Sequence, residues 1–195
     1  MTKGKLIVIS APSGCGKTTI AKAILAKYPT MLFSVSATTR PIRSGEVQEK
    51  DYFFLTKQEF EDRIRIGDLV EWEEIYGNYY GTLKSEIHRA LDHGYSMMFD
   101  VDVKGALSIR RFFPKDSVLI FIKPPSMEVL KKRLENRNTE NPETLKQRLD
   151  RVPMELEQGS QFDFQVVNDN IDKAIAEVDE IIQNNLKYFS NILIA

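Results

Sequence analysis

The stretch LIVISAPSGCGKTTIAKAIL, residues 6–25, decides how the rest of the chain is read. Together with Lys5 it opens as KLIVIS, a short continuous apolar run of the kind expected from a strand buried on both faces of a sheet. From Gly16 to Lys27 the apolar residues Ile20, Ala23, Ile24 and Ala26 form a helical stripe. Between them lies APSGCGKTT: Ala11, Pro12, Ser13, Gly14, Cys15, Gly16, Lys17, Thr18 and Thr19. Strand, glycine turn and helix in that order make a phosphate cradle, because successive backbone N–H groups point at an anion while the helix offers its positive end. Gly14 and Gly16 can take conformations that a β-carbon opposes. Lys17 would reach the β- and γ-phosphates of a nucleotide, and Thr18 offers a hydroxyl to Mg²⁺. Ala11 stands where this P-loop pattern has its first glycine, and its methyl fits if φ stays negative. The competing reading is an ordinary glycine turn in a core; Lys-Thr in register with both flanking elements favours the cradle. Cys15 reads as a small loop residue without chemistry.

The composition narrows the class. A chain of 195 residues suits one domain with room for an insert. A net charge of −1 gives no basic field, so no nucleic-acid partner is expected. No apolar run approaches the ~20 residues that span a bilayer, so no membrane partner is expected. The chain enters its first strand without a cleavable apolar segment and holds one cysteine, so a cytoplasmic location is expected. The two histidines, His88 and His93, have no zinc spacing and read as structural or solvent-facing.

Elsewhere, YSMMFDV (95–101), SVLIFI (117–122) and DFQVVN (163–168) read as further buried strands. Helices are expected from Ser126 to about Arg137, from Pro142 to about Glu157, and from Ile171 to about Ile192. Alternating strands and helices imply an α/β fold, a P-loop-type parallel sheet flanked by helices. The middle differs. Between about Thr38 and Tyr80, KDYFFL, LVEWEEIY and NYYGT read as short strands, and TKQEFEDRIRIG as a helix with a capping box at Thr56 and Glu59 and a closing Gly67. This is expected to be a small inserted α+β unit.

The segment FSVSATTRPIRSGEVQEKDYFF (33–54) places two guanidinium forks, Arg40 and Arg43, near Tyr52. With Tyr80 they could hold a phosphate. Here, and through EWEEIYGNYYGT (71–82), FDVDVKGA (99–106), PPSMEVLKKRLENRNTE (124–140) and VNDNIDKA (167–174), the chain resembles the guanylate kinase family, in that family's order and over nearly its whole length.

The resemblance implies transfer of the γ-phosphate of ATP to GMP by in-line, Mg²⁺-assisted chemistry. It implies that Arg40, Arg43, Tyr52 and Tyr80 hold the GMP phosphate. Glu71 would accept from the guanine N1 and N2 donors, while Ser36 and Thr82 would serve O6. Asp100 would lie near the metal with Thr18, and Asp102 near the guanine, although the division between these two carboxylates stays open. Both are expected on one face of the strand ending in MMFDVD, with a helix cap as the competing reading. Lys17, Arg40, Arg133, Arg137 and Arg148 would be catalytic, and Asn168 with Asp169 would touch adenine. Asn138 stands where the family often has glycine.

Between Lys131 and Arg151 seven basic residues face four acidic ones, as a charge-stabilising lid would require, with Lys131 and Lys132 read as solvated. The expected organisation is a core of 1–37, 83–125 and 160–195, a GMP-binding subdomain at 38–82 and a lid region at 126–159. ATP and GMP are the expected partners, with dGMP left open, in a monomer or homodimer. A kinase for another acceptor and a phosphopeptide-binding scaffold are the alternatives. Glu71, Ser36 and Thr82 argue against the first, Lys17 and Thr18 against the second.

Overall fold

The computed structural model describes residues 4–75, 77–135 and 142–192. Its central sheet has the order β2-β7-β1-β8-β9, all parallel, formed by β1 (Leu6–Ser10), β2 (Leu32–Phe33), β7 (Met97–Asp100), β8 (Ser117–Lys123) and β9 (Phe164–Val167). All five residues of β1 are buried, as its unbroken apolar run requires. Its side chains alternate between two cores. Ile7 and Ile9 join Ile20 and Ile24 of α1 (Lys17–Lys27), Leu130 of α5 (Met127–Glu135), Val152 of α6 (Pro142–Gly159) and Val178 of α7 (Ile171–Ile192). Leu6 and Val8 pack on the other side with Ile87 of α3 (Lys84–Asp92) and Ala106 and Ile109 of α4 (Val103–Phe112). The fold is therefore a parallel sheet covered by helices on both faces, as the sequence predicts.

The second sheet, order β4-β3-β6-β5, contains β3 (Ala37–Thr38), β4 (Phe53–Phe54), β5 (Leu69–Ile75) and β6 (Asn78–Leu83). It packs on α2 (Lys57–Arg65) through the fully buried Phe60. Thr56 and Glu59 form the expected capping box, and Gly67 follows α2 at φ 71°. β3 pairs with β4 in parallel, so the chain must loop out over residues 39–52 to return in the same direction. That obligatory loop carries Arg40, Arg43 and Tyr52.

One strand is not expected from the sequence, and one helix runs on through a proline. β2 consists of only two residues paired with Met97 and Met98, too short to leave a periodic signal. α6 continues to Gly159 although Pro153 removes one of its backbone donors.

Gly159 abuts Phe121, which is fully buried on β8; a β-carbon there would lie 2.4 Å from the ring. Gly159→Ala should cost about 1–3 kcal/mol by overpacking. A thermal midpoint equal to that of the native chain would show instead that the ring can yield.

Candidate functional site

β1 delivers the chain to the carboxyl edge of the sheet, and α1 begins at Lys17. The connecting turn takes Gly14 at φ 89° and Gly16 at φ 84°, left-handed values that a side chain would strain. A β-carbon on Gly16 would also stand 2.5 Å from Nδ2 of Asn168. That amide donates to the Cys15 carbonyl at 2.8 Å, so the buried Asn168, just past β9, braces the loop. Arg133 on α5 donates to the Asn168 carbonyl at 2.9 Å, and Arg148 on α6 donates to the Ser13 hydroxyl. Glu49 is the one non-glycine among the described residues with positive φ; Ala11 thus avoids the strained region and its methyl is packed in the core. Cys15 is fully buried, and burial pushes its thiol up to about 12, Arg133 opposing and Glu155 adding to the shift.

The cradle opens into a cavity of about 370 Å³ lined by residues 11–19 with Glu73, Asp102, Arg151 and Glu155. On its floor the Lys17 ammonium stands 2.6 Å from Oδ1 of Asp100 and donates to the Val101 carbonyl at 2.9 Å. The Thr18 hydroxyl donates to Oδ2 of Asp100 at 3.2 Å. The β1–β7 register, Ile9 beside Asp100, makes this meeting inevitable.

β7 ends at Asp100, so strand alternation does not reach Asp102, contrary to the sequence argument for a shared face. Asp102 instead caps α4, its Oδ1 accepting the Gly105 N–H at 2.8 Å. The donors at Thr18 and Asp100 are hard oxygens set side by side, which suits Mg²⁺, an ion usually held by one or two protein groups plus phosphates and water.

A second cavity, about 380 Å³, is lined by Ser36, Glu71, Tyr80, Asp102 and Lys104 among others. Glu71 accepts from the Thr82 hydroxyl at 2.7 Å. Burial pushes its carboxyl up; Thr82 opposes, while Asp102 and Glu73 act in the same sense as burial. Nearby, β3 pairs antiparallel with β6, setting Thr38 opposite Tyr80. Arg40 follows two residues later, its guanidinium 5.4 Å from the Tyr52 ring, which meets Tyr80 edge-on at 6.2 Å.

Glu46 takes both arms of Arg40, at 3.0 and 2.7 Å, and accepts the Arg43 backbone N–H at 2.7 Å. These contacts, Arg40 foremost, hold the Glu46 carboxyl below its ordinary value. The Arg43 side chain is exposed on the same loop.

The two cavities share Glu73 and Asp102 in their walls and therefore adjoin. Arg137, with Asn138, lies outside the described residues. His88 packs against Phe113, and His93 contacts the Arg89 carbonyl through Nδ1, away from both cavities. Among the residues lining or ordering the site, Glu46, Glu73, Lys104, Arg151 and Glu155 escaped the sequence reading. Spacing could have raised three of them. Glu73 is two positions from Glu71 on a strand; Arg151 and Glu155 fall three and seven positions from Arg148 on a helix.

A nucleotide-type P-loop at the carboxyl edge of a parallel sheet, joined to a second polar chamber, defines a P-loop α/β protein with two adjoining ligand pockets. A profile of the family described as Guanylate kinase matches residues 3–185. A guanylate kinase of Chlorobium luteolum is 48% identical over 183 residues, 94% of this chain and 93% of that protein. One from Chlorobium chlorochromatii is 49% identical over 181 residues, covering 93% and 95%. The crystal structure of guanylate kinase from Anaplasma phagocytophilum superposes with a TM-score of 0.70 at 29% identity, covering 95% of this chain and 88% of that one. The chain belongs to the guanylate kinase family.

Two consequences of burial can be measured. The neutral Cys15 thiol should resist iodoacetamide at pH 8 in the native protein and react after unfolding in guanidinium; prompt native labelling would contradict its burial. Glu71 titrates higher folded than unfolded, so the folded state holds more protons in that window and ligand-free stability falls as pH rises through it. Glu71→Gln should therefore raise the ligand-free thermal midpoint at pH 7.5 more than at pH 4. An equal change at both values would contradict the shift.

Proposed function

We propose that this chain transfers the γ-phosphate of ATP to GMP, giving ADP and GDP by direct in-line displacement. The observation that carries the reading is the shared wall of the two cavities: a P-loop chamber and a chamber lined by the half-buried carboxylate of Glu71 meet at Asp102 and Glu73. ATP phosphates lie along residues 11–19 with Lys17 on the β- and γ-phosphates, and adenine lies towards Asn168 and Asp169. Guanine donates from N1 and N2 to Glu71, with Ser36 and Thr82 serving O6 and Asp102 close by. Adenine would leave Glu71 desolvated and unpaired, a penalty that discriminates strongly.

Arg40, Arg43, Tyr52 and Tyr80 hold the GMP phosphate. Mg²⁺ bound by Thr18 and Asp100 would neutralise charge on the phosphate oxygens. Arg133, Arg137 and Arg148 stabilise the charge spread over the equatorial oxygens. Segment 38–82 acts as the GMP-binding subdomain and 126–159 as the lid, against a core of 1–37, 83–125 and 160–195. A cytoplasmic monomer or homodimer acting on GMP, and on dGMP as a second acceptor, completes the proposal; the buried free thiol suits a reducing compartment.

A coupled ADP-release assay with GMP, AMP, UMP and CMP should favour GMP by at least about a thousandfold in kcat/KM. Lys17→Ala and Arg40→Ala should each lower turnover at least about a hundredfold with unchanged circular dichroism. Glu71→Ala should lose GMP selectively. Comparable rates with AMP and GMP would reject the base-reading assignment; near-native turnover in the Lys17 or Arg40 variant would reject that residue's role.

A further inference from the structure

The stripe of α6 that passes the phosphate chamber carries more than Arg148. Arg151 and Glu155 line the chamber three and seven residues further along, on the same side of the helix. Arg148 engages Ser13 at the cradle, whereas Arg151 and Glu155 share the chamber with Lys17 and with Asp102 and Glu73 at its junction with the second pocket.

A half-buried carboxylate facing a chamber built for phosphates is costly unless a cation answers it. Burial pushes the Glu155 carboxyl up and Asp102 adds to the rise, while Arg151 and, more weakly, Lys17 oppose it. Of the two cations, Arg151 lies four residues before it on the same helix, a spacing from which its side chain can reach Glu155, although the two are not in ion-pair contact. Lys17 is already committed to Asp100 and the Val101 carbonyl.

Where the two pockets join, Asp102 and Glu73 both present acids, and two phosphates have to be brought together there. A planar guanidinium is the group that offsets this and can grip equatorial phosphoryl oxygens with two arms. Arg151 is exposed, as suits a side chain whose partner is a ligand. Pro153, set between the two residues, leaves the Leu149 carbonyl without its helical donor.

We propose that Arg151 is a further catalytic residue, its guanidinium contacting the phosphoryl group in flight, and that Glu155 is a positioning residue that holds Arg151 towards the chamber. The proposal rests on the GMP-phosphorylating reading above. In the step it serves, the bond from the γ-phosphorus to the β,γ-bridging oxygen breaks while a bond forms from that phosphorus to a GMP phosphate oxygen. The bridging oxygen keeps the electron pair as part of ADP. Arg151 gives and takes no proton; it contributes charge and two N–H donors.

Steady-state kinetics on the full chain decide the matter, with Arg151→Gln, Arg151→Lys, Glu155→Gln and the double variant Arg151→Gln/Glu155→Gln, and with the solvated Lys132→Gln as control. Arg151→Gln should lower kcat about ten- to a hundredfold while KM for ATP and GMP stays within about threefold, and Arg151→Lys should recover only part of the loss. Glu155→Gln should lower kcat several-fold in the native background and not at all in the Arg151→Gln background. Lys132→Gln should match the native chain. An Arg151→Gln kcat within twofold of native overturns the catalytic role. An equal Glu155→Gln loss in both backgrounds overturns the positioning role. Arg151→Met, which keeps the aliphatic stem, decides the first question if the glutamine variant melts early. A native chain that fails to phosphorylate GMP rejects the underlying reading instead, so the two failures are distinguishable.

Discussion

The parallel register that sets Ile9 beside Asp100 on one flank and Ile120 on the other is the constraint from which the site follows. With β1 held between β7 and β8, the glycine turn must emerge at the carboxyl edge between them, where open α/β sheets bind ligands. Lys17 then meets the acidic end of the neighbouring strand, Asp100. On the far side, β9 pairs with β8 up to Val167 opposite Lys123, and the Asn168 N–H donates to the Lys123 carbonyl at 2.8 Å. Its side chain is thereby aimed at the Cys15 carbonyl. A one-residue slip would exchange the Ile7/Ile9 and Leu6/Val8 sets between the two cores, so the burial of both cores defends the register. The shape of the cradle is thus enforced by hydrophobic burial rather than by its own few hydrogen bonds.

The second pocket obeys a similar logic with a different topology. Parallel β3–β4 pairing demands the 39–52 loop, and antiparallel β3–β6 pairing places Tyr80 at its base. Without a ligand the cations that would meet phosphate are matched internally, Lys17 by Asp100 and Arg40 by Glu46. Both pairs are partly solvated, so each is worth little as a stabiliser. Their effect is on geometry: they hold long, flexible side chains in place before a phosphate arrives, reducing the ordering cost of binding. A dianionic phosphate can replace or share a single carboxylate partner, because it offers more acceptors at higher charge.

Features encoded by short-range chemistry were legible in the sequence. The glycine turn, the Thr56–Glu59 capping box, Gly67 and the buried strands all depend on neighbours within a few residues. Features that arise from pairing across the chain were not. β2 exists only because Leu32 and Phe33 find Met97 and Met98, and the Arg40–Glu46 fork is made by the fold of a loop without periodicity. Asp102 illustrates the boundary case. Alternation predicts its direction only while the strand continues, and the strand yields to the α4 cap two residues after Asp100. Whether a chain ends a strand or extends it depends on what the next turn can bond to, here the Gly105 N–H, which composition alone does not disclose.

Asp102 and Glu73 at the junction explain why the remaining positive charge is distributed as it is. On the proposed reading, two like-charged phosphates brought together past two carboxylates would repel each other in a chamber where water screens poorly. Cations fixed permanently at the junction would remove the barrier but would also hold phosphate in the ground state, gaining affinity without rate. The arrangement seen here differs: Lys17 comes from α1, Arg40 from the 39–52 loop, and Arg148 and Arg151 from α6. α1 and α6 already meet around the cradle, where Arg148 donates to the Ser13 hydroxyl and Arg151 lines the same chamber as Lys17, while Glu46 holds Arg40 on its loop. On the reading proposed above, the acids at the junction would leave the charge fully compensated only once both nucleotides are bound beside these cations.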